Sequence, residues 1–258
     1  MRRTIQAIVV AATLLLALGA GWLVGLAGAA GAQGEAAPAD PTATPTPAHA
    51  YYLPLIANLA GDSSGPITVT RVFAPSGWQA ESAGLDYAAV VQGTAYLVTY
   101  DQGAPAVGQS ATAGDRTYRA NKAYLYFDTA AIPTRATVLS ATLTATNCRR
   151  VAGVPFTVEL YRTAAPLPPT PADWLNYGGP LVGALPSADC GAWSAPVTAT
   201  VTLDSGSIVK GGLTAYALTT DRLRQTQEPA WGTADRLTFD CYADDALFVR
   251  YMVSHSER

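Results

Sequence analysis

The residues able to do chemistry in this chain are few and widely spaced. Only two histidines occur, His49 in a Pro/Thr-rich stretch and His255 within the last four residues. A Ser-His-Asp or Cys-His nucleophile therefore has no well-placed base, and a histidine metal site has no ligands. Aspartate and glutamate are present, but no pair stands at a spacing that marks a carboxylate glycosidase. What remains is the chemistry of binding. Asp240, Asp244 and Asp245 surround one turn, and carboxylates that close together supply the oxygens a Ca²⁺ ion takes, though without the D-x-D-x-D-G spacing. A structural Ca²⁺ is the one cofactor this admits, and a solvated acidic turn is the competing reading. Asp128 is expected to close its strand by accepting from backbone amides of the next turn. Trp174, Tyr177 and Trp193 crowd one long connection, and Trp231 lies in another. Sugar rings stack on such faces while polar neighbours fix their hydroxyls. The alternative is that each ring caps an open end of the fold.

These side chains need a scaffold, and the chain specifies strands. In residues 123–145, AYLYFDTAAIPTRATVLSATLTA, Leu125 and Phe127 fall on one face and Tyr124, Tyr126 and Asp128 on the other, which is the period of two of a strand. Leu143 and Ala145 alternate in the same way against Thr142, Thr144 and Thr146, and Pro133 closes the segment between, having no N–H for a ladder. Further alternation appears at Phe156, Val158 and Leu160; at Val197, Ala199, Val201 and Leu203; at Leu237, Phe239 and Cys241; and at Leu247, Val249, Tyr251 and Val253. Gly, Pro, Asp or Ser clusters bound each run. No segment holds an amphipathic helical period over three turns. One turn is expected at residues 205–210, capped by Ser205 and stopped by Gly211 and Gly212. Residues 103–120 and 164–196 read as long connections, where binding is to be sought. No internal repeat points to a propeller or solenoid. The expectation is an all-β, antiparallel two-sheet sandwich of the jelly-roll kind, with Leu125, Phe127, Leu143, Val158, Leu160, Val201, Leu203, Phe239 and Val249 inside.

The wording of residues 123–145 resembles the extracellular β-sandwich modules called DNRLRE or disaggregatase-related domains, some of which are classed as carbohydrate-binding modules. VGQS at residues 107–110, DWLNYGG at 173–179, VTLDSGSIVKGGLTAYALTTD at 201–221 and RLTFDCYADDALFVRYMV at 236–253 follow in the order of such modules. The resemblance implies a non-catalytic attachment module, with carbohydrate as its ligand class. Two other readings stand beside it: a structural surface or envelope component with protein partners, and a polysaccharide-cleaving enzyme.

The N-terminus opens with Arg2 and Arg3, runs without charge through residues 7–32, and offers Ala30, Gly31 and Ala32 as a small-x-small cleavage site, the form of a secretory signal peptide. An uncleaved membrane anchor is the rival, since the apolar run is long enough to span a bilayer. Residues 33–50, with PTATPTPA at their centre, lack core-forming residues and read as a stiff linker. YYLPLI at residues 51–56 follows, a junction like those of secreted bacterial proteins, or a first edge strand limited by Pro54. Residues 51–258 are expected to form one domain, displayed outside a bacterial cell or secreted. Charged residues make up 14% of the chain and the net charge is −3, against about 25% charged residues ordinarily. Nucleic acid, which needs clustered Lys and Arg, is excluded as a partner.

Three cysteines in an exported chain leave one unpaired. If the strand at residues 197–203 lies antiparallel beside that at 236–242, Cys190 meets Cys241, and Cys148 points away from the core. A Cys190–Cys241 disulfide is therefore expected, with Cys148–Cys190 as the alternative.

Overall fold

The computed structural model describes residues 66–151, 154–176, 179–240 and 246–254. The expected leader, linker and YYLPLI segment lie outside them, as do both histidines, Tyr177, Cys241, Asp244 and Asp245. The strands are β1 (Ile67–Phe73), β2 (Ser76–Gly84), β3 (Tyr96–Asp101), β4 (Ala106–Thr112), β5 (Thr117–Asp128), β6 (Thr137–Val151) and β7 (Thr157–Arg162). They continue with β8 (Leu181–Pro186), β9 (Gly191–Ala192), β10 (Val197–Leu203), β11 (Leu213–Thr220), β12 (Thr233–Thr238) and β13 (Ala246–Val253). Among the described residues there are also two short α-helices, α1 (Tyr87–Gln92) and α2 (Asp221–Arg224).

The strands form an antiparallel two-sheet sandwich of the jelly-roll kind, as their alternation predicts. One sheet has the order β1–β13–β6–β10. The other is built on β5, which pairs β2 along one edge and β4 then β11 along the opposite edge. From there β11 leads to β7 and β8, and β4 to β12. Strand β6 joins the two layers: its first part lies in the first sheet, while Arg149, Arg150 and Val151 pair β12, and Arg149 and Arg150 also run parallel to β9.

The nine residues expected inside are all buried in the core between the sheets. A second core covers the other face of β5, where Tyr124, Tyr126, Ala120 and Tyr118 pack with Tyr87, Val90 and Val91 of α1, Leu223 of α2, and Trp174. The Tyr124 and Tyr126 hydroxyls remain satisfied, donating to Asp173 O at 2.8 Å and to Pro166 O at 2.7 Å respectively, as burial of a phenol requires. Helix α1 starts because Asp86 accepts from Ala88 N at 2.9 Å and ends at Gly93 in the left-handed region, φ 68°.

Several expectations are corrected. Residues 103–120 are not a long connection but contain β4 and the start of β5, whose polar Gly108, Gln109 and Ser110 hid the strand period. Residues 164–196 hold a 3-10 turn at Pro171–Leu175, β8 and β9. The turn at Ser205–Ser207 is capped by Asp204, not Ser205, with Gly206 N donating to Asp204 Oδ1 at 3.0 Å. Asp128 does close its strand, accepting from Ala130 N at 3.0 Å.

The cysteine assignment is corrected too. β10 lies beside β6, not β12, and the disulfide joins Cys148 to Cys190, with Cα atoms 5.1 Å apart. Cys148 does not point outward but is fully buried. The cause is a bulge: Ala145 faces Ala199 and Cys148 faces Val197, so one extra residue of β6 stands between them, with Asn147 at φ 48°. An extra residue reverses the strand's phase, so Ala145 and Cys148 both face inward.

Candidate functional site

A cleft of about 410 Å³ opens where β2, β5, β4, β12 and the end of β6 run side by side. The ladder registers place Glu81 opposite Asn121, Asn121 opposite Gly108, Gly108 opposite Arg236, and Arg236 opposite Val151. Directly opposite residues share a face of a sheet, so this row carries Glu81, Asn121 and Arg236 on one side. Gly108, at φ 134°, stands in its middle without a side chain, and a Cβ there would come 2.1 Å from Asp235 O. The next row sets Thr238 between Ala106 and Arg149. Tyr100 of β3 and Trp193 complete the walls.

The β2 and β5 wall is tied into a network. Gln79 accepts from Ala106 N at 2.8 Å through Oε1, and its Nε2 donates to Asn121 Oδ1 and to the Tyr100 hydroxyl, each at 2.7 Å. Tyr100 donates to Glu81 Oε2 at 3.2 Å, and Arg119 Nη1 to Glu81 Oε1 at 2.6 Å. Burial, and then the Glu81 carboxylate, raises the Tyr100 pKa above its ordinary value, so the phenol stays protonated. The other lining carboxylate, Asp240, accepts from Asn147 Nδ2 at 2.6 Å. Both carboxylates are therefore engaged within the protein.

The β6 and β12 wall is different. Among the described residues, neither Arg149 nor Arg236 has a hydrogen-bonding or ion-pair partner for its guanidinium, and Arg236 Nε is buried without an acceptor. An unmet buried N–H costs about 1–3 kcal/mol. Trp193 is 50% exposed, with the Arg149 guanidinium 5.6 Å from its ring centroid, within the range of a cation–π contact.

Of the aromatic residues singled out by the sequence and described in the structure, only Trp193 lines this cleft. Trp174 is corrected from surface candidate to core residue: it is buried, donates through Nε1 to Val91 O at 2.9 Å, and lies with the Lys122 ammonium 4.2 Å from its ring centroid. The 3-10 turn carrying it is closed by Asp173, whose Oδ2 accepts from Thr170 N and Oγ1, each at 2.8 Å. That turn lays the indole on the outer face of β5. Trp231 is half-exposed but sits elsewhere, its ring tilted by 39° against that of Tyr118 with centroids 4.5 Å apart, and the Tyr118 hydroxyl donates to Glu228. Of the acidic turn only Asp240 is among the described residues, and its partner there is Asn147.

Sequence reasoning missed Gln79, Glu81, Tyr100, Arg119, Asn121, Arg149 and Arg236. One signal was available. Arg119 and Asn121 share the strand phase of Leu125 and Phe127, and a polar pair in an apolar phase marks the end of core coverage. No protein-family model, no curated protein and no solved structure matches this chain.

Proposed function

We propose that the chain is a non-catalytic, exported β-sandwich module that attaches to carbohydrate through the Trp193 cleft, a member of the module class its wording resembles. One observation carries the reading: a half-exposed indole stands beside guanidinium donors that the described residues leave unmet. Such an apolar platform with a few converging donors suits a sugar ring and its oxygens. The rigid network under Gln79 and Asn121 supports it, since groups fixed in advance lose little entropy on binding. A glycan array bearing neutral and acidic oligosaccharides, probed with the secreted protein, tests the proposal. Trp193→Ala is expected to weaken binding to the array's best ligand by about tenfold or more and to leave the melting temperature nearly unchanged. Absence of binding on the array, or a hit that Trp193→Ala leaves intact, would overturn the assignment.

A polysaccharide-cleaving enzyme is the second reading, favoured by Tyr100 beside Arg119 and by Glu81 and Asp240 on the same cleft. The raised Tyr100 pKa and the engagement of Glu81 by Arg119 oppose a general base at neutral pH. Release of reducing or unsaturated ends from a bound polysaccharide would favour this reading.

A further inference from the structure

We infer that the Cys148–Cys190 disulfide is the positioning device of the Trp193–Arg149 wall, so that the cleft is complete only in the oxidised chain and loses that wall on reduction while the sandwich stays folded. The inference rests on the cleft being the ligand site, and it concerns how that site is assembled.

Trp193 sits in a tight turn. Ala195 N donates to Ala192 O at 3.0 Å, and these two residues form an isolated bridge. Gly191 makes the closure feasible, because a Cβ there would come 1.9 Å from Ala195 O. Residues 191–195 thus form a small body with Trp193 near its tip. Its attachments to the sheet are few. On one side the ladder sets Val197 opposite Cys148. On the other the parallel pairing extends over only Arg149 with Gly191 and Arg150 with Ala192. A ladder that short is marginal by itself. The cystine lies one residue before that ladder on both strands, so Cys148 holds both ends of the turn, one through its bonded sulfur and the other through its strand register. Arg149, whose guanidinium faces the indole, is the next residue along.

Reduction requires an external dithiol: the Sγ–Sγ bond takes up two electrons and two protons to give two thiols, and the dithiol closes to its own disulfide. Both cysteines are buried, so the reagent acts only through local opening. What reduction releases is the two-residue ladder and the turn. The core between the sheets does not depend on that turn, since Trp193 is half-exposed and no residue of 191–195 belongs to the core.

The test uses the full chain in three forms: oxidised, reduced with dithiothreitol, and Cys148→Ala/Cys190→Ala. Each is compared with its Trp193→Phe counterpart to isolate one indole. Hydrogen exchange at residues 191–195 is expected to quicken by about tenfold or more without the disulfide, acrylamide quenching of Trp193 to rise, and the far-ultraviolet sheet signal to persist. Affinity for a glycan identified on the array should fall about as far as Trp193→Ala takes it. Unchanged exchange and quenching would overturn the inference, and so would loss of the sheet signal. Exchange and quenching need no ligand, so a chain that binds no glycan sinks the proposed function and leaves this inference to be decided separately.

Discussion

Among single residues, Lys122 carries a clear cost of burial. It lies on the outer face of β5 in the second core, where Nζ donates to Trp174 O at 2.6 Å, and burial lowers its pKa from 10.5 to about 7. The sign of the consequence follows from proton binding. Below pH 7 the lysine is charged in both states, and the cost of burying that charge is fully present. Between about 7 and 10.5 the unfolded chain holds a proton that the native chain has lost, so stability rises with pH through this window. Tyr216 opposes the rise at its upper end. Burial pushes its phenol from 10.0 to about 12, and the stability it contributes below 10 is lost as pH climbs toward 12. Denaturant unfolding measured from pH 6 to 10 should therefore show stability increasing, and Lys122→Met should flatten that increase. An equal slope in the variant would assign it to other groups. The same residue shows what sequence leaves hidden: a lysine between Asn121 and Ala123 reads as a solvated strand position, and only the indole and tyrosines folded over it reveal a buried amine.

At the scale of elements, the decisive features are departures from regular strands. The bulge in β6 turns Cys148 inward, and the alternation of Leu143, Ala145 and the intervening threonines predicts the opposite. Parity counting assumes an uninterrupted ladder, and Asn147 in the left-handed region breaks it. Closing the 42-residue span between the bonded cysteines stabilises the fold by about 4 kcal/mol in the chain-entropy model. Cys148→Ala/Cys190→Ala should therefore lower the unfolding free energy by up to that amount, without abolishing the two-sheet signal. Gly108 is the second departure. In β4 it both opens the cleft row and lets β12 approach, and any Cβ meets the Asp235 carbonyl at a φ that side chains rarely adopt. Gly108→Ala should cost about 1–3 kcal/mol or more, by the usual penalty for a strained backbone, and weaken ligand binding at the same time. A thermal scan showing no loss would mean that β4 and β12 part easily.

At the scale of the whole molecule, the first and last strands among the described residues are neighbours: β1 pairs β13 along its full length, and β13 brings Leu247, Val249 and Tyr251 into the core. Closure of the first sheet is therefore the most non-local event in the fold. Ending the chain at residue 245 should leave β1 and β6 unpaired along those edges, expose the core and give an aggregating product by light scattering; a soluble, cooperatively unfolding product would show the second sheet to be autonomous. Local alternation in the sequence specified β5, β6, β7, β10, β12 and β13 and all nine residues expected in the core, because a period of two records which side of a strand meets an apolar layer, whereas β4, β8 and β9 lay in segments read as connections. The sequence left Trp193 and Trp174 alike as surface or capping rings, and the fold separates them, the first half-exposed and the second buried. Which strands are neighbours, which cysteines meet, that Trp174 is buried, and that Glu81, Asn121, Arg236 and Arg149 share one cleft emerge only once the chain is folded. Those outcomes depend on registers between segments up to a hundred or more residues apart, and no local pattern carries a register, since a single bulge or a covering helix changes the neighbours of a side chain without changing the sequence around it.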